Sequence, residues 1–195
     1  DQIMVKPCFS EFIHDDSKLP TTFPVKIEDT PAYKNYPGKN LQMNYGEKLL
    51  VGHRRYESNS IKTLFCFGHG LSFTSFNYQN IEVTTGSDFV VTCKFEIQNT
   101  GDISGLEIAQ CYVGFASPLP GEPYKTLQGF VKEEIGVNEL KKVEIKLGPR
   151  NFSFWSVETN TWQIREGSYQ ILIGSSSENI LLQANINLEQ ALEVR

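Results

Sequence analysis

Apolar and polar residues alternate along the second half of the chain with the period of two that is typical of half-buried β-strands. The stretch DFVVTCKFEIQ begins at Asp88, and its alternate apolar positions are Phe89, Val91, Cys93, Phe95 and Ile97. The residues between them are polar, except Val90. This pattern predicts a strand with one face on a core, followed by a turn at NTGD (99–102).

Further strands are predicted at short intervals after this one. They occupy residues 106–115, 124–135, 141–147, 168–174 and 179–188. Segment 106–115 (LEIAQCYVGF) has so little polar content that we expect both of its faces to be buried. Short strands separated by turn residues, without a convincing amphipathic helix, predict a mainly β fold of the sandwich type.

The first 63 residues have a different pattern. Segment 18–40 carries four prolines and no stable period, which predicts an extended segment on the surface of a larger body. Residues 47–57 (EKLLVGHRRYE) predict one short apolar strand with a basic end. These pieces are too few to close a core, so we expect them to pack on a partner domain.

Composition narrows the function classes. The hydrophobic fraction of 39% supports a real core, and the net charge of −5 argues against a nucleic-acid partner. No apolar run approaches the roughly 18 residues of a membrane-spanning helix. The chain has neither an initiator methionine nor a signal-peptide pattern, which favours a mature or excised fragment. The cellular compartment stays open.

The four cysteines are Cys8, Cys66, Cys93 and Cys111. They lie far apart without a C-x-x-C pair, which argues against a metal site. Cys93 and Cys111 fall in apolar strand patterns, where a small buried thiol is common, so free thiols are favoured over a bridge. Their disulfide state is left open.

Several short sequence motifs occur along the chain in the same order as in a known family. They are KLPTTFP (18–24), YGEKLLVGHRRYE (45–57), FGHGLSFTSFNY (67–78), NTGDISGLEIAQCYV (99–113), PYKTLQGFVK (123–132) and 152–177. The chain resembles the C-terminal region of glycoside hydrolase family 3 β-glucosidases, particularly those of yeasts and fungi. Cys66 stands where the family usually has proline, and His53 replaces a usual tyrosine.

The resemblance implies a domain division and a fold. Residues 1–63 would be the C-terminal tail of an α/β sandwich domain with its connector, and residues 64–78 an inter-domain linker and first strand. Residues 79–188 would form a fibronectin type III-like or immunoglobulin-like β-sandwich, followed by a tail at 189–195. The missing catalytic domains of the parent chain are the implied partners.

The resemblance also implies a function. Retaining glycoside hydrolysis needs two carboxylates, and in this family both belong to regions upstream of the matched words. The chain is therefore expected to be an accessory, structural part of a β-glucosidase, inactive alone, with no catalytic residue, cofactor or metal of its own. The carbohydrate substrate would bind to the parent enzyme and not to this part of it. The alternative function is a carbohydrate-binding module. An autonomous hydrolase would need a carboxylate pair, which the sequence does not offer. Whether the parent acts on glucosides or on xylosides stays open.

Residues 64–78 (LFCFGHGLSFTSFNY) raise the question of a catalytic histidine. A functional histidine needs a carboxylate or nucleophile partner, and none lies near His69 in this stretch. The flanking glycines instead predict a tight turn between packed aromatic residues. We therefore assign Phe65, Phe67, His69 and Phe73 to a domain junction, with His69 hydrogen-bonded across it.

Other residues are weaker candidates. Trp155, Trp162 and Tyr124 carry aromatic faces that suit sugar rings, and the sequence favours Trp155 in the core and Trp162 as the exposed, carbohydrate-contacting ring. Asn151 begins the glycosylation sequon Asn-Phe-Ser.

Two acidic stretches could be taken for a catalytic nucleophile or a metal site, and both are assigned to turns. Asp88 is expected in a turn at the start of a strand rather than as a nucleophile. Residues 14–16 (HDD) are expected in a solvated turn rather than a metal site, because adjacent side chains on an extended chain diverge.

Overall fold

The computed structural model describes residues 17–86 and 88–194, and β-strand dominates it. The strands are β1 (Phe23–Pro24), β2 (Thr63–Phe65), β3 (Phe76–Thr85), β4 (Val91–Asn99), β5 (Gly105–Phe115), β6 (Thr126–Ile135), β7 (Leu140–Leu147), β8 (Phe154–Ser156), β9 (Thr161–Ile164), β10 (Gly167–Gly174), β11 (Ile180–Leu188) and β12 (Leu192–Val194). A short helix, α1, spans His53–Ser58, and 3₁₀ turns span Ile27–Asp29 and Pro149–Phe152.

Two antiparallel sheets face each other and enclose the core. One sheet has the strand order β11-β10-β5-β6, and the other has the order β3-β4-β7. The buried side chains between them include Tyr78, Val91, Cys93, Phe95, Ile97, Ala109, Cys111, Val113, Ile135, Val143, Ile145, Leu147, Ile171 and Ile173. The predicted mainly β sandwich is therefore confirmed.

The alternating stretch forms β4, a central strand of the smaller sheet. Its apolar positions are buried on the core side, and Lys94 on the opposite side is exposed. The strand begins at Val91, because the chain first turns through Gly86–Val90, where the Gly86 amide donates to the Val90 carbonyl (2.9 Å). Asp88 lies in this turn, as predicted.

Strand β5 is buried on both faces, which the sequence also predicted. Ala109, Cys111 and Val113 belong to the sandwich core. Gln110 and Tyr112, which alternate with them, are also buried, although they point to the outer face of their sheet. The segment before the sandwich covers this outer face.

The predicted strand at 47–57 is wrong, because residues His53–Ser58 form helix α1. Gly52 precedes the helix with a φ of 53°, which turns the chain out of an extended path. Tyr56 and Glu57 follow His53 by three and four residues, so all three side chains lie on one helical face, toward the sandwich. Tyr56 is buried there.

A small third sheet extends the fold near its C-terminal end. Strands β8, β9 and β12 form it, and Leu192–Val194 pairs with Trp162–Ile164. Within residues 17–86 and 88–194, no helix is long and apolar enough to cross a membrane. The described cysteines, Cys66, Cys93 and Cys111, are buried free thiols. Cys8 and the HDD stretch at 14–16 lie outside the described residues.

Candidate functional site

The junction between the leading segment (residues 17–63) and the sandwich is built on the connector (residues 64–75), which turns at Gly68. Gly68 donates its amide to the Leu19 carbonyl, and the Leu19 amide donates to the His69 carbonyl, both at 2.8 Å. On the other side, the Ser177 amide donates to the Phe67 carbonyl at 2.9 Å. The connector is therefore tied by its backbone both to the leading segment and to the turn between β10 and β11.

Gly68 has to be glycine at this point. Its φ is 77°, a conformation that L side chains rarely adopt, and a Cβ there would collide with the side-chain amide of Gln110. That amide donates from Nε2 to the Ser175 carbonyl at 2.9 Å and accepts a hydrogen bond from the Tyr112 hydroxyl on Oε1. The close approach lets the connector lie directly on β5.

His53 fills the space between the connector and β5. Its ring lies 4.9 Å from the Phe67 ring centroid and 6.0 Å from that of Tyr112, in a tilted and an edge-on arrangement. Burial, helped by the charges of Arg54 and Lys125, lowers the pKa of His53 from 6.5 to about 4. The imidazole is therefore neutral at physiological pH and acts as an aromatic packing group.

An ion pair joins helix α1 to the sandwich below His53. The Lys125 Nζ lies 2.7 Å from Glu57 Oε2, and the two side chains are only 7% and 10% exposed. Burial raises the pKa of Glu57, although Lys125 opposes that shift. The Tyr124 amide also donates to the Ser58 hydroxyl at 3.0 Å, so the end of α1 is held at two points. We call these contacts, centred on His53, Glu57 and Lys125, the helix clamp.

The structure brings together three of the four residues predicted at the junction. Phe65 packs against His69 with ring centroids 5.1 Å apart, and Phe67 packs against His53. Phe73 lies apart from them and is 68% exposed.

The His69 side chain is not placed for catalysis. The hydrogen bonds of this residue in the described part of the chain run through its backbone to Leu19 and Cys66, rather than from its ring to a carboxylate. A hydrogen bond of His69 across the junction was predicted, and the bond at this position is the one that its carbonyl accepts from the Leu19 amide. Among the described residues, no three histidine, cysteine or carboxylate side chains are close enough together to hold a metal ion.

A cleft of about 660 Å³ lies beside the small third sheet. Trp155 and Trp162 both line it and meet in a T-shaped contact with centroids 5.4 Å apart. The predicted exposures of the two rings are reversed, because the Arg150 guanidinium covers Trp162 at 3.2 Å from its centroid while Trp155 is 44% exposed. Tyr124 does not line this cleft; its ring packs near Lys125 instead.

Asn151 also lines the cleft, and its side chain has structural partners. Its Nδ2 donates to the Gln128 carbonyl and to Gln128 Oε1, at 3.2 and 3.0 Å. Its Oδ1 accepts from the Gly148 amide at 2.8 Å. A glycan on Nδ2 would replace one of the two amide hydrogens and so cost at least one of the hydrogen bonds to Gln128. The amide therefore has a structural use of its own.

The helix clamp was missed by sequence reasoning. Its partners are separated by dozens of residues, and nothing in the local pattern joins Glu57 to Lys125. The spacing of His53, Tyr56 and Glu57 was the available signal, since three and four residues is the repeat of a helical face.

The two facing antiparallel sheets define the class of this protein as a fibronectin type III-like sandwich. A family model described as a fibronectin type III-like domain matches residues 107–177, which run from β5 into the turn after β10. The match lies wholly within the part of the chain that forms the sandwich.

The chain is also similar to β-glucosidases among curated relatives and solved structures. The chain is 34% identical over 186 residues to thermostable β-glucosidase B of Acetivibrio thermocellus, covering 94% of this chain and 25% of that protein. A β-glucosidase structure from Kluyveromyces marxianus matches at 32% identity with a TM-score of 0.85, over 90% of this chain and 21% of that one. A family GH3 β-glucosidase structure from Bifidobacterium adolescentis matches at 30% identity with a TM-score of 0.84, over 88% and 26%.

The chain therefore matches the C-terminal, fibronectin type III-like part of glycoside hydrolase family 3 β-glucosidases. It spans about a quarter of the length of the relatives it matches.

Proposed function

We propose that this chain is the accessory, structural C-terminal part of a β-glucosidase, whose parent hydrolyses terminal β-D-glucosyl residues. The chain would brace the catalytic domains of that parent. The support is the similarity to β-glucosidases along most of the chain, together with the two-sided construction of the leading segment.

One side of the leading segment is attached to the sandwich through the helix clamp and the connector. Elsewhere the leading segment and the connector expose large apolar side chains to water. The exposed members are Phe23, Val25, Ile27, Tyr33, Tyr36, Leu41, Met43, Tyr45, Leu49, Val51, Leu64, Leu71 and Phe73. We call this set the apolar flank. So many exposed apolar residues in one segment are typical of a surface that another domain covers.

The proposed occupant of the apolar flank is the rest of the parent polypeptide. Relatives are about four times as long as this chain, so roughly three quarters of such a protein lies outside it. In this proposal residues 1–63 belong with the preceding domain, 64–78 form the linker, 79–188 form the sandwich and 189–195 its tail. The helix clamp then fixes the angle between the sandwich and its neighbour.

A carbohydrate-binding module is the second candidate function. The observation that favours it is the exposed Trp155 ring in the cleft, since flat aromatic faces suit pyranose rings. In this alternative the sandwich holds a saccharide, whether or not the apolar flank is covered.

The accessory role predicts that the isolated chain is catalytically inactive. We expect no release of nitrophenol from an aryl β-glucoside above the buffer blank, because none of the described residues forms a hydrolytic site at the junction. Hydrolysis that survives repurification, and that disappears when one acidic residue of this chain is changed, would contradict the proposal.

A further inference from the structure

The cleft beside Trp155 is formed by several separate parts of the chain. Its walls come from Leu49 and Arg54 of the leading segment, from the end of β5, from residues 122–128, from residues 150–155 and from residues between 162 and 169. Its volume of about 660 Å³ falls within the roughly 300–1,000 Å³ of small-molecule sites. The cleft can therefore hold a ligand larger than a single ion.

The charged groups around the cleft are mostly positive. Arg54, Arg150 and Arg165 line it, and Glu122 is its one carboxylate. Glu122 is already used, since Arg165 Nη2 lies 2.8 Å from its Oε2. In the described part of the chain, Arg54 and Arg150 have no carboxylate within ion-pair distance. A chain with a net charge of −5 thus places two uncompensated guanidinium groups at one cleft.

The aromatic groups are held in place beside those charges. The Arg150 guanidinium carbon lies over the Trp162 ring, 3.2 Å from its centroid, and Trp162 in turn contacts Trp155 in a T-shaped arrangement. Trp155 keeps an exposed ring face, which is an apolar surface of the size of a pyranose ring. The amide of Gln128 is engaged with Thr126 at 2.8 Å and with Asn151, so the guanidinium groups are the main donors left for a ligand.

We propose that this cleft is a non-catalytic binding site for an acidic saccharide. A uronate ring packs against Trp155, and its carboxylate is held by the Arg54 and Arg150 guanidinium groups, which suit the bidentate geometry of a carboxylate. A neutral sugar would use the ring face and leave the positive charges unmatched. This proposal rests on the second candidate function, carbohydrate binding, and not on the accessory role; Leu49 is the lining residue that also belongs to the apolar flank.

The tryptophan fluorescence of the chain reports directly on this cleft, because its two tryptophans are Trp155 and Trp162. We expect digalacturonate to change the emission saturably, with an affinity at least tenfold higher than that of cellobiose. Raising the salt concentration from 50 to 500 mM should lower the affinity for digalacturonate and leave that for cellobiose unchanged, because screening acts on the charged contact.

Charge variants test the assignment of the anion contact. Arg150→Gln should weaken digalacturonate binding about tenfold or more, and Arg54→Gln should do the same if Arg150→Gln does not keep its circular dichroism spectrum. Lys146→Gln is the matched control. It removes one positive charge from β7, outside the cleft lining, and should leave the affinity unchanged.

Three results would overturn the proposal. Equal affinities for digalacturonate and cellobiose would show that charge does not select the ligand. An emission spectrum that does not change with either sugar would show that no saccharide binds. Tighter binding of a capped Gly-Asp-Glu-Gly peptide than of digalacturonate would identify the cleft as a contact for a protein carboxylate instead.

Discussion

At the scale of single residues, each buried polar side chain either stays uncharged or forms a hydrogen bond. His53 packs as a neutral aromatic ring between Phe67 and Tyr112. The buried Tyr78 hydroxyl instead donates a hydrogen bond to Glu107 at 2.8 Å, and burial raises the pKa of that hydroxyl. Neither environment can be read from the residue type alone.

His53 predicts a pH-dependent stability. Its pKa is about 4 in the folded chain against 6.5 as the ordinary value, so the unfolded chain gains a proton that the folded chain resists. The contribution of the neutral ring is fully present above pH 6.5 and is lost as the pH falls toward 4. We expect a loss of about 1–2 kcal/mol over this window, after allowing for partial exposure of the ring.

The variant His53→Phe isolates this effect, because phenylalanine keeps the ring contact and has no proton to gain. The free energy of unfolding, measured in urea at several pH values, should fall less between pH 6.5 and 4 in His53→Phe than in the unchanged chain. His69→Phe is the matched control for the loss of one imidazole elsewhere in the junction, and the difference between the two variants isolates the contribution of His53. A parallel decline in the unchanged chain and His53→Phe would contradict the assignment.

At the scale of elements, most long strands were predictable and short pieces were not. Strand β3 was predicted only as far as Tyr78, because a bulge between Gln79 and Glu82 interrupts its alternation. Strands β4, β5 and β7 follow an apolar pattern over seven or more residues, and the structure contains each of them. Strands β8, β9 and β12 are only three or four residues long, which is too short for a period to be recognised. Helix α1 was read as a strand because six residues are too few for its helical spacing to stand out, and contacts with β5 and Lys125 hold the helix in place.

Lys125→Met tests the attachment of helix α1. Removing Lys125 leaves the Glu57 carboxylate buried without its partner, and we expect the helix clamp to lose about 3 kcal/mol. Urea unfolding should show the loss, and trypsin should cut faster after Arg54 and Arg55 as the helix detaches. Adding Glu57→Gln to the same chain should restore part of the stability, because the unpaired charge is then removed.

The exposed pair on the smaller sheet provides a matched control. Lys94 lies 3.8 Å from Glu144, and its side chain is 60% exposed. Lys94→Met should change the free energy of unfolding by less than about 1 kcal/mol, as is usual for surface ion pairs. Equal effects of Lys94→Met and Lys125→Met would show that burial does not strengthen the clamp.

At the scale of the whole molecule, the leading segment joins two surfaces of different character. The sequence words around Gly68 and their family resemblance predicted that this stretch is a connector. They did not distinguish the rings that face the sandwich from those that face outward, because that depends on how the chain turns at Gly68 and Gly70. Phe67 faces His53 inside the junction, whereas Leu71 and Phe73 lie on the apolar flank.

The exposed apolar flank predicts that the isolated chain associates with itself and binds a hydrophobic dye. We expect the double change Leu71→Ser and Phe73→Ser to lower both, because these side chains are 60% and 68% exposed and each apolar group covered by a neighbour contributes roughly 1.5–3 kcal/mol. Sedimentation velocity and dye fluorescence are the measurements, and the melting temperature should stay nearly constant since neither side chain belongs to the core. Phe130→Ser is the matched control, because Phe130 is equally exposed at 68% but lies on β6 of the sandwich. If Phe130→Ser reduces association as strongly as the double change, the sticky surface belongs to the sandwich, and the apolar flank is not the face that the parent domains cover.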